Sequence, residues 1–340
     1  MCGVSAAGEY ISTGEAMKLT LKPEKKEYFE SRMEELAPWM HAFKFGDSII
    51  VGYYKYEGLG EECTWCNSRS PKETIKKLEE TYALRQENIG KEFFNKVISH
   101  LPLSLSERNS STVLDISSAT GKKSLWSVDN GFGKVISSEI RKNQVDQLKL
   151  ILECVTEEKY SRSIQVKNDL LSADAPEFID SYMNPNDRPD VVLSYGLLYH
   201  LANPYQHLVN CYNITKKFLI VHSMTHYNPF AEKYWSMQIE NPKWITKAVS
   251  SVSWTPHYLE IKRLCEKIGF KKVQMVYPDM FEKNFSLFKN PTTMSRAKII
   301  GQILAHKAFG IKGGIYKNRD FNYYKYAELN PNYFAYVCEK

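Results

Sequence analysis

From residue 112 onward the chain repeats a pattern that few architectures accommodate: a short apolar run, a helix-compatible stretch, then another apolar run. The runs expected as strands are Thr112–Ile116, Lys134–Ser138, Ser163–Lys167, Asp190–Ser194 and Lys217–His222. Between them, Asn143–Glu158 and Pro204–Ile214 are compatible with helix. Strands that read as nearly unbroken apolar runs are buried on both faces, which calls for a parallel sheet covered by helices on each side. A later helical stretch, "TPHYLEIKRLCEKIGF", leads to "KKVQMVY", and the chain ends on the strand-like "NYFAYVCEK". The expected fold is α/β: a Rossmann-like, doubly wound sheet of seven strands.

The first hundred residues have a different rhythm. Pro23–Leu36 is charged and helix-prone, and "APWMHAFKFGDSIIVGYYKYEG" alternates apolar and polar residues as short strands do. A helix is expected over Pro71–Leu101, with Ser70 as N-cap and Ile75, Leu78, Tyr82, Ile89, Phe93 and Val97 along its apolar face. Residues 1–108 are therefore expected to form a lid or substrate module of helix and small strands. The stretch "SLSERNSS" joins it to the domain of residues 109–340.

Composition narrows the class. A hydrophobic share of 43% and a charged share of 25% are ordinary for a soluble globular chain. No window reaches the ~18 apolar residues of a membrane span, and the first twenty residues lack the basic flank and apolar core of a secretory signal. No membrane partner is therefore expected. Seven scattered cysteines point to reduced thiols and a cytoplasmic location. Cys63 and Cys66 make a lone C-x-x-C pair without the second pair that zinc would want, so no metal is expected. Nine Lys/Arg against four Asp/Glu between Asp279 and Glu328 hold most of the net charge of +6. That stretch belongs to an insertion at about 279–332 between the last two strands. Its basic residues interleave with tyrosines, which suits single-stranded nucleic acid, a carboxylate-bearing metabolite or a solvated surface alike.

The first strand ends in "VLDISSATGKKS". In doubly wound sheets the first strand–helix turn brings backbone close to a ligand, so large side chains are excluded. Ser117, Ala119 and Gly121 stand where glycines are common, and all are small. The missing glycines disfavour a pyrophosphate, which needs closer approach, and favour a ligand without phosphates. Glu139 ends the second strand, where a carboxylate can accept two hydrogen bonds from a ribose diol. Asn168 and Asp169 follow the third strand, within reach of an adenine edge. The fourth runs into Ser194, Tyr195, Gly196, Tyr199 and His200.

In that order, "VLDISSATG", "VISSEI", "KNDLL", "DVVLSYGLLYHLANPYQHL" and "KKFLIVHS" resemble the class I S-adenosylmethionine-dependent methyltransferases. The resemblance covers about residues 112–340, including a closing antiparallel strand pair. More narrowly, "SYGLLYHLANP" resembles the S-x-G-[VL]-L-Y-H-x-x-x-P signature of a subgroup holding the tRNA wobble-uridine carboxymethyltransferases and many small-molecule methyltransferases. "PWMHAFKFGDSIIVGYY" and "SVSWTPHYLEIKRLCEKIGF" fit the same subgroup.

The resemblance implies S-adenosyl-L-methionine as cofactor. Asp115, Ser117 and Gly121 would line its methionine part, and Glu139 would take the ribose hydroxyls. Asn168, Asp169 and Leu170 would flank the adenine, with Ser194 and Tyr195 closing the pocket near the sulfonium. It also lays Trp39 and His41 over the pocket mouth as substrate contacts, against the alternative of a core tryptophan and a solvated histidine.

Methyl transfer needs a positioned nucleophile and an acceptor for its proton. The catalytic candidates are His222, which ends the fifth strand, His200 and Tyr199. His222 could equally be a buried histidine satisfied by backbone, and His200 a packing or capping residue. His222 and His226 would share a face only in a helix, so metal binding is not expected. Trp254 is either a substrate-stacking or a packing residue. The expected reaction is methylation of O or N on a small molecule. A tRNA substrate and a non-catalytic binding role are the alternatives, and the chain could act as monomer or homodimer.

Overall fold

The computed structural model describes residues 18–36, 39, 41, 43–46, 49–51, 53–55, 63–65, 82–182, 188–225, 235–239, 252–276 and 333–340. Seven strands build the central sheet: β1 (Thr112–Ile116), β2 (Lys134–Glu139), β3 (Ile164–Asn168), β4 (Val191–Tyr195), β5 (Phe218–Met224), β6 (Lys272–Val276) and β7 (Tyr333–Glu339). Their order across the sheet is β6-β7-β5-β4-β1-β2-β3. β1 to β5 pair in parallel, and β7 lies antiparallel to both β5 and β6. The chain runs outward from β1 to β3, then returns to the far side of β1 for β4. This reversal leaves a crevice beyond the carboxyl ends of β1 and β4.

The apolar runs split residue by residue between two cores. Val113, Val135, Leu193 and Ile220 face one side, with the helices Lys122–Asp129 and Lys142–Cys154. Leu114, Ile136, Val192 and Leu219 face the other, with the helices Pro204–Ile214 and Tyr258–Ile268. Each strand is thus apolar on both faces, which is why it reads as continuous rather than alternating.

β2 to β5 run one or two residues past their expected ends because ladder pairing continues there. Glu139 pairs with Asn168, His222 with Tyr195, and Met224 with Tyr333. The helix expected over Asn143–Glu158 is instead two, Lys142–Cys154 and Glu158–Ser163. Val155 leaves helical angles (ψ 150°) to form a β-bridge with Leu21, so a contact from the N-terminal segment interrupts the helical run.

That segment is fastened along the first core. The helix Lys26–Glu35 packs on Lys142–Cys154, and Gln147 Nε2 donates to the Leu36 carbonyl at 2.6 Å. Phe29, Trp39, Phe43 and Phe45 form an aromatic group with neighbouring ring centroids 4.4–6.5 Å apart. The helix Tyr82–Ser99 adds Phe94, 5.6 Å from the Trp126 ring. This packing carries His41 to the turn after β1.

Candidate active site

The turn after β1 alternates its handedness. Ser117, Ala119 and Gly121 have φ of 61°, 51° and 79°, the left-handed region at every second residue. For Ser and Ala that conformation costs roughly 1–2 kcal/mol each. Hydrogen bonds hold it: Ser118 N donates to Ser138 O (2.9 Å), Ala119 N to Glu139 Oε2 (2.9 Å) and Gly121 N to Ser118 O (2.8 Å). The turn therefore reaches the glycine-type geometry without most of the glycines. Gly121 is needed for a second reason, since a Cβ there would lie 2.4 Å from Leu148 Cδ1. It sets the helix spacing and stands back from the cavity, so the structure does not bring it to the expected ligand contact.

The crevice opens into a cavity of about 450 Å³ lined by the ends of β1, β2, β4 and β5, the segment after β3, and His41. At one end lie two buried carboxylates. Glu139 accepts from the backbone amides of Ala119 and Arg141 and from the Arg141 guanidinium, with contacts of 2.9–3.2 Å. Asp169 accepts from Ser138 Oγ and from Tyr182 OH (2.9 Å), with Lys167 Nζ 3.2 Å away. Both sit on the cavity wall.

Their neighbours are arranged differently. Asn168, exposed at the end of β3, donates its amide to the Glu139 carbonyl at 2.8 Å, so it braces β3 against the end of β2 instead of lining the cavity. Leu170 is 89% exposed and faces solvent, and Leu171 lines the cavity in its place. The ladder ends at Asn168, so the side-chain directions of the residues beyond it are set by the loop and not by the strand that the resemblance aligned.

Asp115 lies at the base of the turn, accepting from Ser124 Oγ at 2.7 Å. Burial lifts its carboxyl to about 7, against the opposing pull of Ser124 and Lys123. Across the cavity, the imidazole of His222 stacks on Tyr195 with centroids 3.8 Å apart. Burial, with the Lys123 charge second, holds His222 down at about 3. It is a neutral imidazole at physiological pH, and poorly matched to base duty there.

His41 bonds the turn through both ring nitrogens: Nδ1 is 2.6 Å from Thr120 Oγ1, and Nε2 is 3.2 Å from Lys123 Nζ. The ammonium can only donate, so Nε2 accepts and Nδ1 carries the proton. Burial, then the charges of Lys123, Lys122 and Arg141, hold His41 well below the usual histidine range.

Tyr199 and His200 reach the cavity from the turn Leu198–His200, their rings 4.1 Å apart. Gly196, at φ 77°, turns the chain there, and its N–H donates to the His222 carbonyl at 2.8 Å. Ser194 does not reach the cavity. It is buried on the opposite face of the sheet, 2.7 Å from His207 Nε2. Alternation along β4 explains this, since neighbours Ser194 and Tyr195 must face opposite ways.

Trp39 is wholly buried, its Nε1 donating to the Met33 carbonyl, and belongs to the core rather than the pocket mouth. Trp254 donates to the Leu201 carbonyl at 2.9 Å and packs edge-on against Trp235, behind the cavity wall.

Sequence reading missed Lys123, Arg141, Thr120, Phe178 and Tyr182. Lys123 had a visible signal: two lysines opening a helix oppose the helix dipole and need a reason. Tyr182 had none, because it reaches Asp169 from a separate 3-10 turn, Pro176–Tyr182. His226, Cys66 and the basic insertion at 279–332 lie outside the described residues, as does the side chain of Cys63. Among the described residues no group of His, Cys, Asp or Glu is arranged to hold a metal, and no helix is long and apolar enough to cross a membrane.

No family model matches the chain, and no curated protein matches it. Solved structures similar to it include the N-terminal domain of EvdMO1 with SAH bound, at 14% identity over 74% of this chain and 90% of that one, TM-score 0.46. Another is a SAM-dependent methyltransferase from Archaeoglobus fulgidus, at 14% identity over 78% and 99% of the two chains, TM-score 0.41. A third is a Listeria monocytogenes protein described as a S-adenosylmethionine-dependent methyltransferase, at 13% identity over 75% and 99%, TM-score 0.44. Likeness this remote leaves the functional reading to the chain's own residues.

Proposed function

We propose that this chain is an S-adenosylmethionine-dependent methyltransferase acting on O or N of a small molecule. The observation that carries the reading is the pair of carboxylates Glu139 and Asp169. They stand at the ends of adjacent strands and face one cavity at the switch point of a doubly wound sheet. A diol and an adenine amine are the partners such a pair suits, as acceptors of hydrogen bonds. The turn built on Ser118 and Ala119 suits a ligand without phosphates, and the cavity volume falls in the range of small-molecule sites.

When bound, S-adenosylmethionine supplies an electrophilic methyl group on a sulfonium. The chain's own residues bind and orient. Glu139 holds the sugar and Asp169 with Leu171 the base. Asp115 offers a carboxyl beside the amino-acid part, where an ammonium would draw off its proton. Tyr195 and Gly196 bound the reacting centre, and Tyr199, His200 and His222 face the acceptor. Positioning of this kind can supply several kcal/mol of the barrier.

Calorimetry with S-adenosylhomocysteine tests the reading: saturable binding is expected, and absence of both heat and a thermal shift would sink it. Mass spectrometry of a cell extract incubated with the protein and methyl-labelled cofactor would then identify the acceptor.

A further inference from the structure

Resting on the methyltransferase reading above, we propose that Arg141 is the residue of the cofactor site that competes with the ligand's sugar. Its guanidinium holds the two acceptor positions on Glu139 that a vicinal diol would take, and it leaves them when the diol arrives. Each oxygen of Glu139 already accepts two hydrogen bonds. Oε1 takes the Arg141 backbone amide and Arg141 Nε, both at 2.9 Å. Oε2 takes the Ala119 amide at 2.9 Å and Arg141 Nη2 at 3.2 Å. A carboxylate offers about four lone-pair positions, so a ligand must displace a donor to bond it.

The four donors are not equally free to leave. The Ala119 amide belongs to the left-handed turn after β1, and Arg141 is the residue that opens the helix Lys142–Cys154. Moving either amide would undo the turn or the start of the helix. The guanidinium ends a flexible stem, and the Arg141 side chain is 29% exposed against 1% for Glu139. Both residues line the cavity. The exchangeable donors are therefore Nε and Nη2, a fork with one prong on each oxygen. A vicinal diol presents the same pattern, two donors side by side.

The exchange also explains how the site stands without a ligand. A carboxylate this deeply buried has lost its hydration and needs donors at all times. Arg141 supplies two of them when the sugar does not. On binding, the guanidinium keeps its charge and turns toward solvent, the hydroxyls keep their protons, and only hydrogen bonds change hands. Cofactor and product carry the same diol, so the competition loosens both and eases product release. An arginine that stayed on Glu139 would instead orient it, and its removal would weaken binding. The two roles predict opposite signs.

Calorimetry of the full chain with S-adenosylhomocysteine decides between them. Arg141→Met should tighten binding by about fivefold, while the urea midpoint of the ligand-free chain falls because Glu139 loses two donors. Arg141→Lys keeps the charge but not the fork, so it should tighten binding by about twofold. That variant carries the test if Arg141→Met does not fold. The 2′,3′-dideoxy analogue of S-adenosylhomocysteine has no diol to exchange, and its affinity should be the same in wild type and Arg141→Met within about twofold. Weaker or unchanged binding of S-adenosylhomocysteine in the folded variants would overturn the proposal, and so would equal tightening of the dideoxy analogue, which would reduce the effect to removal of a charge. Failure of S-adenosylhomocysteine to bind both wild type and the variants is a separate result, and it removes the methyltransferase reading and this proposal together.

Discussion

The imidazole of His222 lies flat on the phenol ring of Tyr195, with planes 5° apart and centroids 3.8 Å apart, on residues that are ladder partners of β5 and β4. The stack fixes the end of the cavity wall, and burial there, with the Lys123 charge second, keeps the imidazole neutral. A methyl-transfer rate measured from pH 5 to 8 should therefore show no limb that disappears in His222→Ala. The substitution should lower turnover by roughly tenfold through loss of the wall, with the shape of the profile unchanged. Loss of an acidic limb near pH 6–7 on substitution would identify His222 as a titrating base.

Glu139 accepts the Ala119 amide on Oε2 and also lines the cavity, where the proposed function gives it the ligand's sugar. Glu139→Ala should weaken S-adenosylhomocysteine by tenfold or more, about 1.4 kcal/mol, by calorimetry. It should also lower the urea midpoint by exposing the Ala119 N–H to an unsatisfied burial. Unchanged affinity would remove Glu139 from the site.

Gly121 and Leu148 occupy the same space from opposite sides. Gly121→Ala combines a left-handed alanine, about 1–2 kcal/mol, with a clash against Leu148 of roughly 1–3 kcal/mol. Adding Leu148→Ala should make the double variant more stable than the sum of the two single losses predicts. Strict additivity in denaturant melts would show that the crowding is not the cause.

Ser194 and His207 form a buried hydrogen bond on the face opposite the cavity. Ser194→Ala should lower stability by about 1 kcal/mol, because His207 loses a buried partner. Affinity for S-adenosylhomocysteine should be unaffected. A tenfold loss of affinity at unchanged stability would return Ser194 to the pocket.

Asp115 and the buried histidines pull stability in opposite directions with pH. Burial holds His207 at about 4 and His222 at about 3, so their contribution is complete above pH 6.5 and is lost as pH falls toward those values. Asp115 is raised from 3.8 to about 7, so its contribution is present below 3.8 and is lost as pH rises to 7. At ~1.4 kcal/mol per unit the Asp115 effect is at most about 4 kcal/mol. Asp115→Asn removes it, so the urea midpoint of that variant should climb more steeply from pH 5 to 7 than wild type. Parallel curves would mean the carboxyl is ionised in the folded state at pH 5.

Strand existence and order of appearance were written in the chain because burial on both faces leaves a local mark, a run such as "TVLDI" or "DVVLS" with scarcely a polar interruption. The small residues at Ser117, Ala119 and Gly121 and the acids Glu139 and Asp169 were legible for the same reason: each sits at a fixed step from the end of its strand. What lay beyond those ends was not legible. Leu170 and Leu171 are equally apolar, and Ser194 and Tyr195 equally plausible, until the last ladder pair and the facing helix decide which way each side chain turns. Trp39 and His41 stand two residues apart, yet one fills the core and the other meets Lys123. Phe29, Phe43 and the Met33 carbonyl claim the tryptophan, and the turn after β1 receives the histidine. Local chemistry determined which residues could form strands and present carboxylates at their ends. Which side chains meet across 80 residues of sequence, as His41 and Lys123 do, depends on packing between distant segments, and no short window of the chain contains that information.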